Sequence, residues 1–252
     1  MKMRIDIMTI FTNMCESVLR ESIVGRAIKE KLVKIKCHDI RDFAYDKHKR
    51  VDDSTYGPGM GMLMKAEPIY LCFEDICKQI KKEESFENQH PQKVIYMSPQ
   101  GATLTQQKAK MLAEEDNLII LCGHYEGVDE RVLEEIVEEE ISIGDYVLTG
   151  GELPALVLVD AIVRMIPGVL SSDECYKDES HYSGLLEYPQ YTKPSLWHNK
   201  KVPDVLLSGN HEKIKTWKKE QSMLRTLRKR PDIFKDYNFS AEEKEFINGQ
   251  KK

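Results

Sequence analysis

The sequence predicts an α/β fold with a mainly parallel sheet, followed by a small helical domain. Short apolar runs alternate along the chain with segments of helical spacing, and this alternation is typical of α/β domains. Residues 118–122 are apolar throughout, as expected for a strand that is covered on both faces of a parallel sheet. After Pro194 the pattern becomes helical and basic, which predicts the second domain.

The predicted elements of the first domain follow in a regular order. Residues Met3–Thr9 alternate apolar and polar side chains, which predicts a strand. Residues 153–166 are apolar on nearly all sides of a helix, so we expect this helix to be buried and to end at Pro167 and Gly168. The other predicted elements are helices at 66–81, 105–113 and 128–137, and strands at 94–97, 118–122 and 141–148.

Basic residues are concentrated near the C-terminus. The chain carries a net charge of −5, yet 12 Lys and Arg face only four Asp and Glu between Lys193 and Lys235. This segment could meet phosphates, although an ordinary solvated helix face would look the same.

We expect a first domain at 1–167, an interdomain linker and active-site loop at 168–190, and a helical domain at 191–252. Asn210 or Ser208 could cap one helix, and Ser240 with Glu243 fits a capping box for another.

Composition excludes several classes of protein. Hydrophobic residues make up 41% and charged residues 31% of the chain, which predicts a soluble globular protein. No run approaches the ~20 apolar residues of a membrane span, and the alternating N-terminus does not resemble a signal peptide. The six cysteines form no CxxC pair, so we expect reduced core thiols, a cytoplasmic location and no zinc site.

Three glycine-bearing turns follow the predicted strands. They are Ser98-Pro99-Gln100-Gly101, Gly123-His124-Tyr125-Glu126-Gly127 and Gly150-Gly151-Glu152. Open α/β sheets bind ligands beyond the carboxyl ends of their strands, and glycines there expose backbone groups to a ligand. None of the turns matches GxGxxG or the phosphate-binding GxxxxGK[ST] pattern. They predict a ligand site that reads a base edge, and ordinary turns remain the alternative.

A few charged and aromatic residues are further candidates. Arg164 either pairs with Asp160 within the helix or reaches a substrate oxygen. Asp178 and Glu179 read, from composition alone, as solvated acids. The histidines show no metal-binding spacing. Trp217 lies among four lysines, where it either stacks on nucleic acid or belongs to a helix core.

Ordered motifs give the sequence a family resemblance. They are Gly25-Arg26-Ala27, Arg41-Asp42-Phe43, Val51-Asp52-Asp53, Tyr96-Met97-Ser98-Pro99-Gln100-Gly101, Cys122-Gly123-His124-Tyr125-Glu126-Gly127-Val128-Asp129-Glu130-Arg131, Ser142-Ile143-Gly144-Asp145-Tyr146-Val147-Leu148, Gly150-Gly151-Glu152-Leu153-Pro154, Ile166-Pro167-Gly168-Val169-Leu170, Pro189-Gln190-Tyr191-Thr192 and Leu206-Leu207-Ser208-Gly209-Asn210-His211. Each motif is weak alone. In this order they closely resemble bacterial tRNA (guanine-37-N1) methyltransferases, the TrmD type of the SPOUT superfamily.

The resemblance implies a trefoil-knotted methyltransferase domain, a homodimer with active sites between subunits, and assistance by magnesium. Its donor is S-adenosyl-L-methionine, and its substrate is the anticodon stem-loop of tRNAs that have guanosine at positions 36 and 37. This modification supports maintenance of the reading frame. The cofactor-binding residues that it implies are Met97, Ser98, Pro99, Gly123, Tyr125, Glu126, Ile143, Gly144, Asp145, Tyr146, Val147, Leu148, Gly150 and Gly151.

The resemblance also implies the catalytic residues. Because guanine N1 carries a proton at neutral pH, a carboxylate should remove it as a general base. Arg164 matches the arginine that stabilises negative charge on guanine O6. Alignment from Gly184 places the family's aspartate at Glu179, a residue one methylene longer. Asp178 is the alternative base.

Two other classes of function are considered. An inactive tRNA-binding protein would keep the basic segment but lose donor or base positions. A nucleotide-dependent oxidoreductase would need the missing GxGxxG motif. One further departure from the family is the turn Gly57-Pro58-Gly59-Met60-Gly61, where many relatives have three consecutive glycines; it concerns contacts with tRNA and not the reaction.

Overall fold

The computed structural model describes residues 3–57, 61–83, 92–172, 176 and 179–249. The chain forms two compact units, Met1–Ser172 and Asp173–Lys252. In the first unit the strands are β1 (Met3–Thr9), β2 (Val33–Asp39), β3 (Asp52–Ser54), β4 (Met62–Met64), β5 (Lys93–Thr103), β6 (Asn117–Cys122) and β7 (Glu139–Ser142). Its α-helices are α1 (Thr12–Leu19), α2 (Ser22–Lys29), α3 (Ala66–Glu83), α4 (Gln106–Leu112), α5 (Glu130–Ile136) and α6 (Glu152–Val163).

The central sheet has five strands in the order β2-β1-β6-β5-β7. All four neighbouring pairs are parallel, which confirms the predicted α/β class. The order places β6 at the centre, where its predicted two-sided burial is also confirmed. The carboxyl ends of β6, β5 and β7 therefore lie side by side at one edge of the sheet.

Two hydrophobic layers cover the two faces of the sheet. Side chains of β6 alternate between them, because successive residues of a strand point to opposite faces. Leu118 and Ile120 pack in one layer with α1, α2 and α6. Ile119 and Leu121 pack in the other with α3 and α5. Helix α3 begins at the predicted residue and buries Ile69, Cys72, Ile76 and Ile80.

Strand β1 is more deeply buried than its alternating sequence suggests. All seven of its residues are buried, because its polar side chains pair with one another inside the protein. Arg4 binds Asp6 through two hydrogen bonds of 2.7 and 3.0 Å, and His38 Nε2 lies 2.7 Å from Asp6 Oδ1. Burial raises the pKa of Asp6, but the hydrogen bonds with His38 and Arg4 outweigh it and leave the pKa below its usual value.

Two predicted strand ends are wrong, and both lie near the candidate site. Strand β5 does not stop at Met97 but continues to Thr103, with a shift in its register to β7 between Met97 and Ala102. Strand β7 ends at Ser142, so the predicted strand 141–148 is mostly an irregular loop. The apolar residues Tyr146, Val147 and Leu148 indicated a buried strand, but they are exposed in this unit and are not part of the sheet.

The prediction that helix 153–166 is buried on all sides is also wrong. Its inner face packs in the core, but Leu153 is 50% exposed and Val157 is 48% exposed. Asp160 continues this exposed row. The helix ends at Val163, with Arg164 as its C-cap, ahead of Pro167 and Gly168.

Helices α1 and α2 and strands β2, β3 and β4 were not predicted. The alternating residues of β2 carried a detectable strand signal, whereas α1 and α2 have eight residues each and no side-chain cap.

Cys15, Cys37, Cys72, Cys77 and Cys122 are free thiols, and Cys175 lies outside the described residues. The glycine-rich turn is described only in part, since residues 58–60 are not included.

In the described part of the second unit, an irregular stretch at 179–195 precedes a short hairpin and four helices. The core of this unit contains Leu185, Met223 and Ile247, with Phe234, Tyr237, Phe239 and Phe246 packed around them. The elements are β8 (Leu196–Trp197), β9 (Lys200–Lys201), α7 (Asp204–Leu207), α8 (His211–Lys229), α9 (Pro231–Asp236) and α10 (Ala241–Gly249). The predicted caps at Asn210 and at Ser240 with Glu243 are confirmed. No helix within the described ranges is long and apolar enough to cross a bilayer.

Replacing Arg4 should destabilise the first unit strongly. Asp6 is 0% exposed. Arg4→Ala removes the ion pair between Arg4 and the buried carboxylate of Asp6. We expect the free energy of unfolding, measured by urea denaturation, to fall by roughly 3–5 kcal/mol. Arg20→Ala is the control, because the Arg20–Glu16 pair lies at the surface. Its loss should lower the free energy of unfolding by less than about 1 kcal/mol.

The same measurement has a predicted pH dependence. The pKa of Asp6 is lowered in the folded state. The stabilisation that ionised Asp6 gives to the folded protein is therefore complete above the ordinary aspartate pKa. It is lost as the pH falls through the lower folded value. If Arg4→Ala and Arg20→Ala lower the free energy of unfolding equally, the buried Arg4–Asp6 pair does not have the stabilising role assigned to it.

Candidate functional site

A cavity of about 370 Å³ lies at the carboxyl ends of β5, β6 and β7. Its size falls within the range of small-molecule sites, and its position is where parallel sheets bind ligands. The lining residues come from three segments, at 96–100, 123–133 and 140–154. They are Tyr96, Met97, Ser98, Pro99, Gln100, Gly123, His124, Tyr125, Glu126, Gly127, Val128, Glu130, Leu133, Glu140, Ile141, Ser142, Ile143, Tyr146, Val147, Leu148, Thr149, Gly150, Gly151 and Pro154.

The three predicted glycine-bearing turns meet at this cavity. The second and third are joined directly, since the Gly151 N–H donates to the carbonyl oxygen of Gly123 over 2.8 Å. His124 and Gly150 also form an isolated β-bridge. The chain that leaves β7 therefore returns past β5 to the end of β6.

Glycine is required at this junction because the backbones approach closely. A Cβ at Gly151 would lie 2.8 Å from the Cα of Cys122, and one at Gly123 would lie 2.7 Å from the hydroxyl of Tyr96. Burial, with smaller effects of nearby Glu140 and Glu130, raises the pKa of Tyr96 to about 12. Its hydroxyl therefore stays protonated and can donate a hydrogen bond at neutral pH.

The loop after β7 is held by a local hydrogen-bonded turn. Ser142 Oγ accepts from the N–H of Gly144 at 3.1 Å and donates to the Gly144 carbonyl oxygen at 2.9 Å. Gly144 has a φ of +149°, where other residues are strained, and a Cβ there would lie 2.6 Å from the Tyr146 ring. This turn sets the path of residues 143–149 along the cavity.

Strand β4 braces the turn after β6. The Glu126 N–H donates to the Met62 carbonyl oxygen at 2.9 Å, and the Asp129 N–H donates to that of Met64 at 3.0 Å. A Cβ at Gly61 would meet the Glu126 side chain at 2.4 Å. The part of the glycine-rich segment that is described therefore supports one wall of the cavity.

The charges that line the cavity are negative. Glu126, Glu130 and Glu140 belong to the wall, and within the described part of the chain no Lys or Arg is among the lining residues. Such a wall favours a cationic ligand and disfavours a pyrophosphate. This charge pattern was not predicted, because it depends on which acidic side chains the turns bring together.

Twelve of the predicted cofactor-binding residues line the cavity. Gly144 and Asp145 lie in the same loop but are not among the lining residues. Arg164 is half-buried at the end of α6 and does not line the cavity either. Glu179 is half-buried in the second unit, and Asp178 lies outside the described residues. Lining residues outside the predicted turns and the predicted cofactor-binding set include Glu130, Leu133, Glu140 and Pro154.

Comparison with known proteins identifies the family. Residues 3–236 match the model of the family described as tRNA (Guanine-1)-methyltransferase TrmD. A tRNA (guanine-N(1)-)-methyltransferase of Ruminiclostridium cellulolyticum is 53% identical over 232 residues, covering 92% of this chain and 96% of the relative. Proteins of the same name from Alkaliphilus oremlandii and Clostridium botulinum strain Kyoto are 51% and 50% identical over 245 residues, each covering 97% of both chains. The chain therefore belongs to the TrmD family of tRNA (guanine-1)-methyltransferases.

Proposed function

We propose that this protein transfers a methyl group from S-adenosyl-L-methionine to N1 of guanosine 37 in tRNAs that have guanosine at position 36. The observation that carries the proposal is the cavity where three glycine-bearing turns meet, within a chain of this family. Nothing supports the inactive tRNA-binding alternative, because the relatives are named as enzymes and the donor-binding turns are intact. The acidic wall without basic residues also disfavours a dinucleotide-dependent oxidoreductase.

The cavity suits the methyl donor in size, polarity and charge. Gly123, Gly150 and Gly151 line the cavity with backbone, which can bind the adenine edge without charged side chains. The carboxylates of Glu126, Glu130 and Glu140 favour the donor's positive sulfonium. Gly144 and Asp145 are proposed to act by shaping the loop that carries Tyr146, Val147 and Leu148. When bound, the donor supplies an electrophilic methyl group.

The path of the chain supports a trefoil knot in the first unit. Strand β5 lies between β6 and β7 in the sheet. The segment that leaves β7 nevertheless reaches the end of β6, where Gly151 bonds to Gly123. Such a return around the intervening strand is the kind of path that a knot requires.

The chemistry at guanine needs an acid–base residue and a cation. We propose that Glu179 removes the proton from N1, which makes this nitrogen nucleophilic toward the methyl group. Arg164 would stabilise the negative charge that develops on O6 through a charge-assisted hydrogen bond. Arg164 is the half-buried C-cap residue of α6. Asp178 is the alternative base.

The second unit is proposed to bind the anticodon stem-loop. Helix α8 presents Lys213 and Lys215 to solvent, and the β8–β9 hairpin exposes Trp197 beside Lys200 and Lys201. Aromatic rings between lysines are suited to stacking on bases and contacting phosphates.

We propose a methyltransferase domain at 1–167, a linker at 168–190 and a tRNA-binding domain at 191–252. A cytoplasmic location and assistance by magnesium stay predictions.

A homodimer is supported by an exposed apolar surface on the first unit. Helices α1 and α6 pack together, and each leaves apolar residues in solvent at helical spacing. These residues are Phe11 at the N-cap of α1, Met14 and Val18 within it, and Leu153 and Val157 on α6, each 40–53% exposed. A second copy of the chain would cover this surface, which a soluble monomer seldom exposes.

The proposed reaction predicts 1-methylguanosine at position 37 and dependence on Glu179. Wild-type protein incubated with labelled S-adenosylmethionine and unmodified tRNA should methylate this guanosine, as identified by mass spectrometry. Glu179→Gln should reduce kcat by about 10²–10⁴-fold, because the amide cannot accept the proton. Its affinity for S-adenosylhomocysteine, measured by calorimetry, should stay unchanged.

Matched controls separate the two possible bases. Glu179→Asp retains a carboxylate and should keep most activity, and a tRNA with adenosine at position 36 should be a poor substrate. If Glu179→Gln turns over normally while Asp178→Asn does not, the base is Asp178. Absence of methylation at guanosine 37 by the wild type would refute the proposed function.

Removing exposed lysines of α8 should weaken tRNA binding in a salt-dependent way. Lys213→Ala combined with Lys215→Ala removes two charges that can contact phosphates. We expect the slope of log K against log salt to become shallower by about 1 to 2. Lys219 is a poor choice, because its Nζ binds Tyr237 at 2.8 Å and Glu243 at 3.1 Å. Lys29→Ala with Lys31→Ala is the control pair, and an equal effect of both pairs would exclude a specific contact by α8.

Placing a charge on the exposed face of α6 should separate the proposed dimer. Val157→Glu would bury a carboxylate at the interface, so sedimentation should shift from dimer to monomer. Leu207→Glu is the control, because Leu207 is 61% exposed on α7 of the second unit and does not belong to this surface. A wild-type monomer, or dissociation by Leu207→Glu alone, would contradict the proposed interface.

A further inference from the structure

A buried carboxylate lies behind the wall of the cavity. Glu152 is the first residue of α6 and is only 3% exposed. Its Oε1 accepts a hydrogen bond of 2.8 Å from the hydroxyl of Thr9, which in turn accepts one of 2.9 Å from the N–H of Phe11. A carboxyl group this deeply buried is costly unless both of its oxygens have hydrogen-bond partners.

The side chain of His124 has an unsatisfied polar atom in the same region. Its Nδ1 is buried and has no hydrogen-bond partner among the residues that the structure describes. The ring is held edge-on between two others, with its centroid 5.1 Å from that of Phe11 and 5.0 Å from that of Tyr125. A buried polar nitrogen without a partner is rare in proteins, so its position calls for a functional explanation.

Gly150 brings these two groups to the same place. A Cβ on Gly150 would lie 2.5 Å from Oε2 of Glu152 and 2.6 Å from Nδ1 of His124. The two atoms therefore occupy the space that a side chain would fill, at most 5.1 Å from each other by these distances. Oε2 accepts no hydrogen bond within the described part of the chain, so a small rotation would join two groups that otherwise lack partners.

We propose that His124 is a positioning residue, whose Nδ1–H donates a hydrogen bond to Oε2 of Glu152 when the methyl donor occupies the cavity. The bond would complete a chain of contacts from Phe11 and Thr9 through Glu152 to His124. The inference rests on the proposed function, because it assigns a role to this cavity as a donor site.

The bond would fix two walls of the cavity relative to each other. His124 immediately precedes Tyr125 and Glu126, and Glu152 immediately follows Gly150 and Gly151. The backbones of these segments are joined where they meet, by the bond from Gly151 to Gly123 and the β-bridge of His124 with Gly150. A second connection through side chains would set the orientation of both loops around the donor.

Three variants at position 124 distinguish the atoms of the ring. The amide of Asn places a donor near the position of Nδ1, whereas the longer amide of Gln places one near Nε2. His124→Asn should therefore keep the KM for S-adenosylmethionine close to that of the wild type. His124→Gln and His124→Ala should raise this KM, and the Kd for S-adenosylhomocysteine, roughly tenfold. Because His124 acts through the loops, kcat at saturating donor should change much less.

Other results would overturn the proposal. Retention of affinity by Gln but not by Asn would assign the role to Nε2. Equal losses for Asn, Gln and Ala would mean that ring packing against Phe11 matters and not the hydrogen bond. Unchanged affinity in all three would remove any role. Thermal unfolding of each full-length variant would show whether a loss of affinity reflects loss of the fold.

A spectroscopic test does not depend on activity. Nitrogen-15 NMR of the histidine rings in full-length protein saturated with S-adenosylhomocysteine should show Nδ1 of His124 protonated. Glu152→Gln should shift this signal while the other histidine rings are unaffected. An unprotonated Nδ1 in the wild-type complex would exclude the proposed bond. If the wild type binds no S-adenosylhomocysteine, the proposed function fails, and that result is distinct from failure at His124 alone.

Discussion

The site depends on a direct contact between two stretches of backbone, at Gly123 and Gly151. Their hydrogen bond of 2.8 Å joins the end of the central strand to the beginning of α6, and neither position has room for a side chain. Because α6 is anchored in the core by its buried face, this contact is carried by rigid elements on both sides. The loop between β7 and α6 is then confined to one route along the cavity.

Local sequence patterns predicted the elements that have a clear apolar pattern. Strand β6 was recognisable by its continuous apolar run, and helix α3 by the helical spacing of its buried residues. The burial of β1 was not recognisable, since Arg4 and Asp6 look like solvent-facing residues until each is seen to satisfy the other. Residues 143–149 were misjudged for the opposite reason, because apolar side chains there leave the sheet and remain exposed in this unit.

The candidate site was predictable as a set of backbone turns but not as a charged environment. Glycines after consecutive strands indicated where a ligand would bind, and the family resemblance supplied the residue numbers. The acidic wall and the cluster of Thr9, Glu152 and His124 arise from residues far apart in sequence, which only the fold brings together. Arg164 was a candidate from its place in the apolar helix, whereas the role of Glu179 came from the resemblance alone, and both roles depend on the substrate complex.

The acidic wall has a consequence for the direction of turnover. Methyl transfer converts a positively charged sulfonium into an uncharged thioether. Glu126, Glu130 and Glu140 would attract the fresh cofactor but gain nothing electrostatically from the spent one. The same carboxylates would therefore help the protein to exchange one for the other, and they would limit inhibition by accumulating by-product.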